Sequence, residues 1–382
     1  MQRGAKHLSA ARRAPPTTRG GLGEPGGPQR QNPTVDAETL AQRTLELVDI
    51  PSESRQEAEL VAYVRAAVPL PMLYEDDDVL FFGRRRPGCP LVVLAGHLDT
   101  VPAQGNLPGR IEDGVVHGLG ASDMKAGLAV MIELACSLPD GDLDVAYLFF
   151  VREEFAADES PLPAFFAACE LVREAGLVVM LEPTDNEIQA GCLGNLNVRI
   201  RFDGVSAHSA RPWLGRNAVH TAIESLAGVA ALPPREVEVE GLVFREVVSV
   251  VRIEGGIAQN VVPAEASAEL NYRYAPNRTP ADAERRLREL VPGGAIVALA
   301  NSPPAHVVVD TPLVRRLREA GAFAIEPKQA WTPVAEFARR GIDAVNLGPG
   351  ATRYAHARDE QVAAAELLRT YEALARFVRG SV

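Results

Sequence analysis

The stretch "LVVLAGHLD" (Leu91–Asp99) decides the fold. Its apolar start reads as a buried strand. His97 and Asp99 follow on alternate positions, where strand side chains point the same way, so an imidazole and a carboxylate are predicted to stand together at the strand's end. From about Asp36 to Glu182, strand-like and helix-like segments alternate around it: the helix "KAGLAVMIELACSL", then "DVAYLFFV", the helix "LPAFFAACELVREAG" and "LVVMLEP". Such alternation implies crossover units and an α/β fold, with a mostly parallel sheet flanked by helices.

The pattern changes after Cys192. "LNVRIRFDG", the helical "RNAVHTAIESLAGVAAL", "REVVSVVRIEGG", "AEASAELNYRYA", the helix "PADAERRLREL" and "GAIVALAN" run in the order βαββαβ, a ferredoxin-like α+β unit. Past about Ser302 the first pattern resumes with the helix "TPLVRRLREAG" and the strand "AVNLG". The predicted organisation is therefore a catalytic domain in two parts, 36–192 and 300–382, with an inserted domain at 193–299.

Composition bounds the rest. With 382 residues, 47% of them hydrophobic, the chain can bury a sizeable core and is long for one small domain. The formal charge is −11, but residues 1–35 carry a net +5, which leaves the body at −16. An acidic body argues against a nucleic-acid partner. No apolar run reaches membrane-span length and the start lacks a secretory h-region, so the chain is expected in the cytoplasm. Cys89, Cys136, Cys169 and Cys192 show no C-x-x-C spacing and are expected to be reduced. Residues 1–35 hold six Gly and five Pro without apolar periodicity and are expected to be disordered. A start assigned too far upstream, a basic interaction tail and a targeting segment all fit them.

Every strand end in the larger domain carries something polar. His97 and Asp99 close the first strand, Glu153 and Glu154 close "DVAYLFFVREE", and Glu182 closes "LVVMLEP". His356 lies after "AVNLGPG", and Asp123 sits in the Gly-rich "GLGASDMKAG" before a helix. Singly, such residues commonly cap helices or face solvent. Together on the carboxyl edge of a parallel sheet they are predicted to converge on one crevice. Carboxylates packed without cations repel one another, so the cluster points to metal. Nitrogen and oxygen donors without thiolate favour Zn²⁺, with Co²⁺ or Mn²⁺ able to substitute. One carboxylate bridging two ions would leave positions open for water. Adjacent Glu153 and Glu154 would project to opposite sides of a strand, one free to act as a base.

The motifs "GHLDTVP", "GLGASDMKAG", the Glu-Glu pair, "LEPT", "GVSAHSARPWLGRNAV", "GGIAQNVVPAEASAELNYRYAP" and "GPGATRYAHARDE" together resemble the M20 family of co-catalytic zinc aminoacylases and carboxypeptidases, from about Asp36 to the C-terminus. The resemblance implies that His97 and Glu182 hold one zinc, that His356 and Glu154 hold the other, and that Asp123 bridges them. It makes Glu153 the general base and Asp99 the orienter of the His97 ring. It implies a homodimer, with His208 reaching across it to the oxyanion of the partner's site. Asn260 and Arg273 match substrate-contacting positions, and a guanidinium suits a substrate carboxylate. The implied substrate is a small N-acylated amino acid. "AGCLGNLNV" and "AHSARPWLGRNAVH" favour N-succinyl-LL-2,6-diaminopimelate, with an acetylornithine deacetylase or dipeptidase activity as the alternative. "FAADESPL" departs from the pattern where relatives carry a Gly, which touches the loop beside the metals and not the ligands.

Overall fold

The computed structural model describes residues 35–138, 141–155 and 159–380. The tail, apart from Val35, and residues 156–158 of the "FAADESPL" loop lie outside them. Helix α1 (Ala37–Val48) starts at Asp36, whose carboxylate accepts the Thr39 N–H at 2.8 Å. After α2 (Ala58–Ala67) comes a hairpin of β1 (Met72–Glu75) and β2 (Val79–Gly83) that the alternation does not foretell. Asp76 builds its turn by accepting the N–H groups of Asp78 and Val79 at 2.9 and 2.8 Å.

Strand β3 (Leu91–His97) is buried at every residue, as its apolar run requires. The short β4 (Arg110–Glu112) and β5 (Val115–His117) precede α3 (Lys125–Ser137), which is buried over its first eleven residues. Next come β6 (Asp144–Phe150), α4 (Leu162–Ala168) and β7 (Ala175–Met180). The sequence predicts one helix over "LPAFFAACELVREAG", but α4 stops at extended Cys169, and a 3-10 turn, Glu170–Glu174, carries Val172 into the core.

Then follow β8 (Ile188–Ala190), β9 (Gly194–Asp203), α5 (Ala218–Ala230), β10 (Arg235–Val239), β11 (Leu242–Gly255), β12 (Glu265–Tyr274), α6 (Pro280–Leu290) and β13 (Ala295–Ser302). The last part holds α7 (Pro312–Gly321), β14 (Ile325–Pro327), α8 (Val334–Ala338), β15 (Ala344–Asn346), β16 (Gln361–Ala363) and α9 (Ala364–Arg379).

The main sheet is mixed, in the order β1-β2-β6-β3-β7-β15-β8-β14. Its centre, β6-β3-β7-β15, is parallel throughout, while β8 runs antiparallel to β15 and β2 antiparallel to β6. The second sheet has the order β10-β11-β12-β9-β13. Its helix-covered face carries Leu196, Val198, Ile200 and Phe202 at the alternate positions of β9. Strand β10 adds an edge to the expected βαββαβ pattern, paired with only the first residues of β11, Leu242 to Glu246. No helix among the described residues is long and apolar enough to cross a membrane. All four cysteines are free thiols.

Candidate active site

Four neighbouring parallel strands end on one edge, and that adjacency gathers the polar residues. His97 ends β3, Glu153 and Glu154 follow β6, Glu182 follows β7, and the loop after β15 returns His356. Two close backbone contacts fix Glu182. A Cβ on Gly127 of α3 would meet the Leu181 carbonyl oxygen at 2.3 Å, and one on Gly348 would meet that of Glu182 at 2.5 Å, so only glycine lets helix and loop approach this closely.

The buried ring of His97 donates from Nδ1 to the main-chain oxygen of Asp99 at 3.0 Å, with the Asp99 carboxylate at 3.5 Å. A proton on Nδ1 leaves Nε2 facing Asp123 Oδ1 at 3.3 Å and Glu182 Oε1 at 4.0 Å. The other oxygen of Asp123 lies 3.6 Å from His356 Nε2, which also meets Glu154 Oε1 at 2.8 Å. Asp123 thus stands between the two rings, with Glu182 beside one and Glu154 beside the other.

The carboxylate of Asp99 does more than attend the ring. It accepts the N–H groups of Glu153 and Glu154, each at 2.9 Å, and the Ser54 hydroxyl at 2.7 Å. Strand alternation does not send the two glutamates to opposite sides, because β6 ends at Phe150 and Arg152 lies in the left-handed region at φ 58°; an oxygen of each carboxylate instead lies within 4.8 Å of the other and of His97.

Electrostatics mark the cluster as short of positive charge. Burial raises the Glu153 carboxyl well above its usual range, and Glu154, Glu182 and Asp99 push the same way against His97. Burial and then Asp123 raise Glu182 to about 7, against the pull of His97 and Lys328. The His97 ring titrates well above its ordinary value: burial opposes its charge, but hydrogen bonds to Asp123 and Asp99 outweigh the burial. The hydrogen bond to Glu154 raises His356 to about 9. Glu182 Oε1 is buried without a hydrogen-bond partner.

A cation suits these donors. One donor atom each from His97, Asp123 and Glu182 lie within 4.8 Å of one another, as do those of Asp123, Glu154 and His356, and those of His97, Glu153 and Glu154. The first two trios share Asp123. Nitrogen and oxygen donors in sets of three match a divalent ion that keeps open positions.

Sequence reasoning missed Glu360. Four residues past His356 and 2% exposed, it accepts the N–H groups of Gly120, Ser122 and Asp123 at 2.8, 3.0 and 2.8 Å. It therefore holds the loop that presents Asp123. Only its place in "AHARDE" could have drawn notice, since its partners lie more than 230 residues away. The remaining sequence candidates stand apart from the cluster. His208 and Asn260 are exposed on the segments beside β9 and β12. Arg273, on β12 opposite Asn195, donates from Nε to Asn271 at 3.0 Å.

The model of peptidase family M20/M25/M40 matches residues 93–380. The succinyl-diaminopimelate desuccinylase of Corynebacterium glutamicum is 35% identical over 341 residues, 83% of this chain and 90% of that one. A Mycobacterium tuberculosis protein provisionally named for the same activity is 37% identical over 343 residues, 88% of this chain and 97% of that one. Among solved structures, aminopeptidase PepT of Bacillus cereus aligns with a TM-score of 0.72 at 22% identity, covering 90% of this chain and 98% of its own. The Bacillus subtilis YXEP protein, described as a dinuclear metal-binding peptidase, aligns with a TM-score of 0.63 at 16% identity, covering 90% of this chain and 97% of its own.

Proposed function

The chain belongs to peptidase family M20/M25/M40 and is a metal-dependent amidohydrolase; within that class we propose that it hydrolyses N-succinyl-LL-2,6-diaminopimelate to succinate and LL-2,6-diaminopimelate, in lysine and diaminopimelate synthesis. The observation that carries the chemistry is the carboxylate of Asp123 between the two imidazoles, at 3.3 and 3.6 Å. The desuccinylase relatives at 35% and 37% identity support the substrate.

His97, Asp123 and Glu182 would hold one zinc ion and His356, Asp123 and Glu154 a second, with Co²⁺ or Mn²⁺ able to replace them. Ions bound there would supply Lewis-acid polarisation of the amide carbonyl and acidification of water. The chain's own groups do the rest. Glu153, whose carboxyl burial already biases toward taking a proton, removes one from the attacking water and delivers it to the leaving nitrogen as the C–N bond breaks. Asp99 fixes the His97 tautomer through its main-chain oxygen and aims both glutamates through their N–H groups.

His208 acts as the oxyanion donor of a neighbouring subunit. Its Nδ1 accepts the Ala210 N–H at 3.0 Å, which leaves the ring proton on Nε2, and the ring is exposed. Residues 193–299 form the dimerisation and lid domain. Support comes from the edge of β11 past Glu246, which β10 leaves unpaired, and from Trp213 and Leu214, 75% and 66% exposed just beyond His208. Arg273 binds a substrate carboxylate, and Asn260 contacts substrate from the loop that pairs with His208.

Comparing kcat/KM of the purified, zinc-loaded chain for N-succinyl-LL-2,6-diaminopimelate, N-acetylornithine and a dipeptide tests the assignment. The succinyl compound should lead by roughly 100-fold or more, the discrimination expected when a buried polar site loses its partner. A lead for either of the others would reassign the substrate within the same chemistry.

A further inference from the structure

Beside the carboxylate cluster lies a buried cation with no assigned task. Lys328 follows β14, whose Pro327 pairs in parallel with Ala190, so the lysine runs alongside Gly191 and Cys192. It is 4% exposed. Lysine is rarely buried to this extent without a partner, because removing an ammonium from water is costly. Among the described residues, however, its ammonium makes no hydrogen bond or ion pair. Its positive charge nevertheless acts on the carboxyls of Asp123 and Glu182 and on the Cys192 thiol, favouring the ionised form of each.

A second cation faces the same connection from the second sheet. Arg273 sits opposite Asn195, has no carboxylate partner among the described residues, and interacts electrostatically with Cys192. The link from β8 to β9 thus has a cation on each side, Lys328 from the main sheet and Arg273 from the second. Of the two, Lys328 is the one whose charge acts on the cluster read as cutting an amide.

We propose that Lys328 receives the terminal carboxylate of the substrate's acyl arm, which makes the site selective for N-acyl amines derived from dicarboxylic acids. The inference rests on the hydrolase assignment above. With the amide carbon between the two donor trios, a four-carbon diacid arm carries its free carboxylate about 4 Å further on, three carbon–carbon bonds away. An acetyl arm carries no such carboxylate and leaves the ammonium unpaired, and a site built around a polar partner disfavours the analogue that lacks it.

The test compares zinc-loaded wild type with Lys328→Gln and Lys328→Arg on the N-succinyl and N-acetyl derivatives of one amine, together with succinate as a competitive inhibitor. In Lys328→Gln the succinyl-to-acetyl ratio of kcat/KM should fall roughly 10- to 100-fold, through KM, and succinate inhibition should weaken by a similar factor. Lys328→Arg should restore part of both. An equal loss on both acyl groups, with the succinate constant unchanged, would overturn the proposal and leave Lys328 as a counter-charge to Asp123 and Glu182. If wild type cleaves neither compound, the hydrolase assignment fails separately. Calorimetric binding of succinate to the zinc-loaded proteins then still decides about Lys328: weaker binding to Lys328→Gln upholds its role, and equal binding ends it.

Discussion

Replacing Glu360 with alanine should loosen both metal positions at once, although its carboxylate reaches the donor trios only through the main-chain N–H of Asp123. The substitution strips the acceptor from three N–H groups, those of Gly120, Ser122 and Asp123. A buried donor left without a partner costs about 1–3 kcal/mol, so the gross effect is about 3–9 kcal/mol. Part is offset, because burial, and after it Asp123, hold the Glu360 carboxyl at about 7 against an ordinary 4.5. At about 1.4 kcal/mol per pKa unit, keeping it ionised at neutral pH already costs roughly 3 kcal/mol. A net loss of up to about 6 kcal/mol, centred near 3, remains, concentrated on the loop that carries Asp123. Since Asp123 belongs to both trios, about half of that central loss passed to the metal sites would make each ion bind about tenfold more weakly, the equivalent of about 1.4 kcal/mol. Glu182→Gln should by contrast weaken only one. Zinc competition against a chromophoric chelator resolves the two affinities, and thermal unfolding of the metal-free protein reports the loop's share of stability. Two zinc ions bound to Glu360→Ala with wild-type affinity would refute the idea that Glu360 positions Asp123.

Two further outcomes follow from the same geometry. Glu182 titrates at about 7, His356 at about 9 and His97 well above its usual value, so at neutral pH the empty cluster holds protons that metal must displace. Loading should release about two to three protons per chain and zinc affinity should rise with pH from 6 to 8, which calorimetry in buffers of different ionisation enthalpy would measure; proton-free binding would contradict it. His208→Ala should lower kcat by roughly 10²–10³ with both metals retained, and mixing it with a Glu153→Gln chain should restore about half of wild-type activity per dimer. Heterodimers that form yet stay inactive would mean that His208 does not serve a neighbour.

The chain shows in advance whichever parts of this site depend on one strand at a time. "LVVLAGHLD" and "LVVMLEP" are apolar runs ending in polar residues, and a parallel sheet sends such ends to one edge whatever the strand order. The order β6-β3-β7-β15, which makes those ends neighbours, is a tertiary outcome that no local pattern carries. Glu360, Ser54 and Lys328 were hidden for the same reason: each acts on a segment distant in sequence, and each looks like an ordinary loop residue. Strand β10 escaped notice because "REVEV" is largely exposed and alternates charge with valine beside a longer apolar strand. The turn at Arg152 was also invisible, because a left-handed arginine carries no sequence signal of the kind that glycine gives.

The claim at the centre is that the two adjacent glutamates divide the work, Glu154 holding metal and Glu153 moving the proton. The turnover number of Glu153→Gln, measured on protein shown by metal analysis to carry two zinc ions, tests it most directly. An amide cannot accept the water's proton, so kcat should fall by roughly 10²–10⁴ while the zinc content stays at two. A fully loaded Glu153→Gln enzyme that turns over near the wild-type rate would contradict the account.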